Sequence, residues 1–174
     1  MAGALIKIDE EIVTSAVASV TLTGIDSTYD VYMVKVNNLK VTTDGTTCYV
    51  RVGNSGTADS TANYDEASKA LYSVSTFINN SVTNSTQFNV PLVGIDNSNA
   101  GVNANATLYL FNWANASEYS FLTIEATQMI NTAELYGNQG GGVHTVAQSN
   151  SEIHFVMSSS TIASGTFTLY GLKK

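Results

Sequence analysis

Two histidines, one cysteine and a scatter of carboxylates are the side chains in this chain that could support metal or acid–base chemistry. His154 stands in Glu152-Ile153-His154-Phe155-Val156, where strand alternation puts it on one face with Glu152 and Val156. His144 follows Gly140-Gly141-Gly142 with only Val143 between. A zinc centre needs three or four convergent ligands, and the lone Cys48 with two histidines shows no ligand spacing of that kind. Cys48 alternates with Val50 and Val52, the pattern of a buried and inert thiol, and it has no partner for an internal disulfide. No G-x-S-x-G elbow accompanies the many serines and aspartates. The residues therefore predict no catalytic group, no metal site and no cofactor.

Other candidates resolve the same way. Paired carboxylates could cleave a glycosidic bond, but Asp9, Glu10, Glu11, Asp26, Asp44, Asp59, Asp65, Glu66 and Asp96 fall mostly in expected turns or the N-terminal segment. Glu125 and Glu152 fall in expected strands, where a solvated sheet face is the simpler reading. Asp96-Asn97-Ser98-Asn99-Ala100-Gly101 has the outline of a calcium loop, yet its third and fifth positions are Ser98 and Ala100 and the bidentate Glu is missing. The triple glycine lacks the Lys-Ser/Thr of a phosphate loop, so close approach of another backbone explains it better. Nine tyrosines and Trp113 could stack against sugar rings, with Tyr64, Tyr72, Trp113 and Tyr136 the candidates.

Short alternating segments between Gly, Asn, Asp and Ser must position these residues. Strands are expected at Val17–Leu22, Tyr29–Val36, Thr47–Val52, Leu71–Ile78, Gln87–Val93, Thr107–Trp113, Tyr119–Thr127, Glu152–Met157 and Thr166–Leu172. Asp44-Gly45 is a favoured hairpin dipeptide between the second and third. Pro91 marks an edge strand or a strand end. A weaker segment spans Ala133–Val146, broken by the glycines, and Asp65–Ala70 could form a short helix. Gly53–Asp65 and Ile95–Asn105 read as long polar loops. The pattern predicts an all-β antiparallel sandwich, jelly-roll-like, of about 8–10 strands. Residues 1–15 differ in character and are expected as an extended arm, with 16–174 as the single domain. In that arm Leu5, Ile6, Ile8, Ile12 and Val13 are the expected anchors for contacts with a neighbouring subunit.

Composition narrows the function further. Charged residues make up 12% of the 174, about half the usual share, so 19 Ser, 21 Thr and 17 Asn must build most of the polar surface. The net charge of −7 leaves no basic stripe to displace counterions from phosphates, nor one to dock on anionic lipid. No nucleic acid and no membrane are expected as partners. No 18-residue apolar run and no signal-peptide core are seen, which predicts assembly in a cytoplasm.

Two passages resemble bacteriophage virion structural proteins. One is Gly24-Ile25-Asp26-Ser27-Thr28-Tyr29-Asp30-Val31-Tyr32, followed by Val36-Asn37-Asn38-Leu39, Thr42-Thr43-Asp44-Gly45 and a strand ending near Arg51. The other is the ending Ile162-Ala163-Ser164-Gly165-Thr166-Phe167-Thr168-Leu169-Tyr170-Gly171-Leu172-Lys173. The Gly53–Asp65 loop departs from that pattern by lacking its doubled glycines. The resemblance implies a small jelly-roll-like component of the virion surface, commonly a homotrimer, and supplies no catalytic residue. A capsid decoration (cement) protein bound to the major capsid protein is the first expectation. A tail fibre or receptor-binding protein recognising host glycans is the alternative.

Overall fold

Apolar residues that recur at every second position, with a turn signal every few residues, leave this chain little choice but strands. The computed structural model describes residues 4–74, 77–98 and 101–172, and the fold is all-β and antiparallel. Thirteen strands run through the described residues: β1 (Leu5–Val13), β2 (Ser19–Thr23), β3 (Val31–Val41), β4 (Thr46–Asn54), β5 (Thr57–Ala58), β6 (Tyr64–Tyr72), β7 (Ile78–Ser85), β8 (Phe88–Ile95), β9 (Ala104–Phe111), β10 (Ser120–Ile130), β11 (Glu134–His144), β12 (Glu152–Met157) and β13 (Ile162–Leu172).

Eight of them form a jelly roll. One sheet has the order β1-β13-β3-β9 and the other β2-β12-β4-β8. Strands consecutive in sequence (β1 and β2, β3 and β4, β8 and β9, β12 and β13) lie in opposite sheets, which is the double Greek key. The Asp44-Gly45 turn is present, with Gly45 at φ +74, but it joins β3 to β4 across the sandwich. The expected hairpin is therefore absent, because each strand finds a better-matched apolar face in a different sheet. The remaining strands are insertions. β5, β6 and β7 fall between β4 and β8, whereas β10 and β11 fall between β9 and β12. The two insertions pair with each other and extend the β9 edge as β9-β10-β11-β6-β7. Among the described residues the sheets pair directly at Ile130↔Ile95 alone, so β8 is an edge along most of its length, as its proline requires.

The core lies between the two sheets. Leu22, Val50, Val52, Ile153 and Phe155 face Val34, Leu108, Leu110, Phe167 and Leu169, all fully buried or nearly so. Phe155 and Phe167 meet across the gap with ring centroids 4.9 Å apart. A smaller cluster of Ala70, Ile130 and Tyr136 holds the inserted strands.

Four further expectations are corrected. Residues 5–13 are not an arm but strand β1, paired with β13 from Leu5↔Leu172 to Val13↔Gly165 (residues 1–3 lie outside the described residues). A bulge between Lys7 and Asp9 shifts the register, which breaks the alternation that would have revealed a strand. Asp65–Ala70 is not helical but the middle of β6, and of the strand expected at Leu71–Ile78 only Leu71 and Tyr72, which end β6, and Ile78, which opens β7, are in strands, while residues 75 and 76 lie outside the described residues. The glycines do not interrupt β11, which pairs with β10 and β6 throughout.

Those glycines are required by crowding. A Cβ on Gly140 would sit 2.5 Å from the Ala67 carbonyl oxygen, and one on Gly142 would sit 2.6 Å from the Phe88 ring. Overpacking of that kind costs about 1–3 kcal/mol, more than the roughly 0.5–1 kcal/mol that glycine itself loses in a strand. Gly140→Ala is accordingly expected to lower the unfolding free energy by about 1–3 kcal/mol, measured by urea denaturation. An unchanged midpoint would show that β6 can move away.

Candidate functional surfaces

The histidines prove to be framework. His144 closes β11, its side chain fully buried, with Nε2 3.2 Å from Asp59 Oδ2 and its ring 4.7 Å from that of Tyr64. Asp59 also accepts from the Thr61 amide at 2.8 Å and hydroxyl at 2.6 Å, which ties the 53–65 segment to β11. His154 bonds through Nε2 to Glu152 Oε2 at 3.1 Å and through Nδ1 to the Thr21 hydroxyl at 2.9 Å. Glu152 in turn accepts the Gly56 amide at 2.9 Å. Gly53 makes room for this ring, since a Cβ there would fall 2.1 Å from His154 Nε2. No group of three His, Cys, Asp or Glu among the described residues is placed to hold a metal.

The acidic loop is also internally satisfied. Asp96 Oδ1 accepts the Ser98 amide and Asp44 Oδ1 accepts the Asn97 amide, at 2.6 and 3.1 Å, while Asn99 and Ala100 lie outside the described residues. Glu125 and Glu152 do not meet, one lying on the outer face of β10 and the other bound to the Gly56 amide.

The four residues that could have formed a sugar-stacking platform do not form one. Tyr64, Trp113 and Tyr136 are buried, and Tyr72 is half-buried edge-on to Tyr136 at 4.8 Å. Each ring fills a gap that an inserted strand or loop leaves in the core. Tyr64 donates to the Asp59 carbonyl at 2.7 Å and Trp113 Nε1 donates to the Phe121 carbonyl at 2.9 Å, so their polar ends need no solvent. Of the residues expected as arm anchors, Val13 is in the core and Ile8 packs beside it. Leu5, Ile6 and Ile12 remain exposed on the edge strand.

The exposed surfaces that do form were not evident from the residues alone. On the outer face of the large sheet, Met33, Tyr109, Thr123, Gly141 and Ala67 line up across five strands. Two clefts of about 250 and 450 Å³ that share Thr123 open on this face, the larger at Gly141, which contributes no side chain. Tyr109 and Phe121, 37% and 44% exposed, stand at this trough. Glu125 and Gln139 border it, hydrogen-bonded at 3.3 Å. Another cleft, of about 350 Å³, lies between Ser27, Tyr29 and Asp30 and the loop Asn112–Ala116. At the far end of the inserted strands Leu71, Val74, Phe77, Ile78 and Leu135 are all exposed, with Lys69 over the Phe77 ring at 5.3 Å. The signal for these surfaces, apolar residues on strand faces that register alone turns outward, is invisible without the pairing.

Burial holds both histidines below their ordinary value of 6.5, against the pull of Asp59 and Glu152. Unfolded histidine takes up a proton near that value while the native side chain stays neutral, so the unfolded state binds more protons and stability falls as pH drops below 6.5. The urea midpoint is expected to decline between about pH 6.5 and 5, above the range where carboxylates titrate. His144→Gln should flatten part of that slope, and a wild-type midpoint that is level through the window would contradict the burial. Burial also pushes the Cys48 thiol up to about 12. Native protein should therefore resist thiol reagents and react in full once unfolded, as a colourimetric thiol assay would show.

No family model, curated protein or solved structure matches this chain.

Proposed function

We propose that this chain is a non-enzymatic structural protein of a bacteriophage particle, most specifically a decoration protein. It would bind the major capsid protein at the virion surface as an oligomer and brace the shell. One observation carries the reading. The jelly-roll interior is filled with hydrocarbon, both histidines are tied into it, and exposed apolar side chains gather at both ends of the large sheet, in addition to Tyr109 and Phe121 at the trough between them. A protein with a solid core and adhesive margins is suited to joining neighbours. The virion-like passages at Gly24–Tyr32 and Ile162–Lys173 point the same way.

Within this reading β1 replaces the arm as the contact element. Its Leu5, Ile6 and Ile12 are exposed without contributing to the core. A second reading, a tail protein that recognises host glycans, is favoured by the trough with Tyr109 and Phe121, where sugar rings could stack beside Glu125 and Gln139.

Quantitative mass spectrometry of purified virions separates the two. Near parity with the major capsid protein is the expected result. A few copies per particle would transfer the reading to the tail, and absence from the particle would overturn both. The double variant Leu5→Ser/Ile12→Ser should keep its fold by circular dichroism yet lose occupancy on particles. Full occupancy would remove β1 from the contact.

A further inference from the structure

The large sheet ends in two edges, and they are not alike. β1 carries Lys7, Asp9, Glu10 and Glu11 and a bulge, and its Asp9 carboxylate accepts the Thr23 amide and hydroxyl of β2 at 2.7 and 3.1 Å. Charges, a bulge and a covering strand are the usual devices that stop an edge from pairing. β7, the other edge, reads Ile-Asn-Asn-Ser-Val-Thr-Asn-Ser and contains no charge and no proline. Its only irregularity lies near the far end, where the register with β6 shifts between Tyr64 and Glu66 and Asn84 takes φ +54. Ile78–Val82 therefore forms a flat stretch, paired without a shift against Glu66–Ala70.

We propose that β7 pairs with β7 of a second copy of this chain, antiparallel about a twofold axis at Asn80. The stretch has the same polarity read in either direction. With Asn80 opposite Asn80, Ile78 falls opposite Val82 of the other copy and Asn79 opposite Ser81, so each apolar side chain meets an apolar one on the same face. Ile78 is 45% exposed in the single chain and Val82 half-buried, which leaves apolar area for the partner to cover. Charge argues for the same occupant. Two copies at −7 each repel, and an edge free of charge is where they can approach. A twofold contact of this kind closes on itself and yields a dimer rather than a fibre. The large sheet then runs without a break across both copies.

The test is the oligomeric state of the full chain by light scattering and sedimentation, with three variants. Wild-type protein is expected to be a dimer at micromolar concentration. Asn80→Lys sets two ammonium groups against each other on the axis and should weaken the dimer at least tenfold while circular dichroism stays native. Ser159→Lys, the same charge change at an exposed turn in another part of the chain, should leave the dimer intact. Asn80→Cys should cross-link between copies under mild oxidation, because directly opposed strand residues lie within disulfide range. A wild-type monomer, a trimer, or a dimer indifferent to Asn80→Lys would each overturn the proposal. None of these outcomes depends on whether the protein is found on a particle.

Discussion

The contact between the two sheets, with Phe155 against Phe167 at its centre, is the interaction on which the rest of this structure depends. Those residues sit on β12 and β13, which follow one another in sequence and lie in opposite sheets. The short Ser-rich connection, at whose end Ile162 pairs with Val17 of the segment between β1 and β2, therefore carries the chain across the sandwich. The same crossing recurs at β1–β2, β3–β4 and β8–β9. Antiparallel strands pair with whichever partner lets both bury their apolar faces. Here those partners are far apart in sequence, so no strand of the jelly roll can be added without the apolar layer that gathers them.

The inserted strands depend on that layer in turn. β10 pairs along β9, β11 along β10, and β6 along β11, each using the previous strand as template. Where β11 is squeezed between β10 and β6, side chains must be small to pass one another, and Gly140, Gly141 and Gly142 meet that need. Their missing side chains admit Phe88 and the β6 backbone on the inner face and leave the trough on the outer one. The buried Asp59–His144 pair and the Tyr64 ring, edge-on to Phe88 at 4.9 Å, anchor the insertion between β4 and β8 back to the body.

This economy bears on the functional reading. The two histidines, the cysteine and two of the carboxylates are held in the fold: His144 and His154 in hydrogen bonds, Cys48 in the core, Asp59 and Glu152 on backbone amides. What faces outward is a low-charge surface of Ser, Thr and Asn with apolar residues at its edges. Such a surface suits contact with other subunits, where a desolvated charge would cost more than a hydroxyl or an amide.

Several features were legible in the residues. Alternation located β2, β4, β8, β10 and β12 closely, the scarcity of helical periodicity set the all-β class, and the abundance of Asn matched its use at positive φ at Asn38, Asn84 and Asn112. A strand of period two records which residues share a face, since that is local geometry. It does not record which face is the inner one, nor which strand lies alongside. Those are settled by pairing between residues such as Leu5 and Leu172, or Gly140 and Ser68, and pairing is a property of the whole apolar layer. That is why β1 read as an arm, why Asp44-Gly45 read as a hairpin, and why alternation left open which side of the sheet four candidate aromatic residues face, three of them core rings and one half-covered.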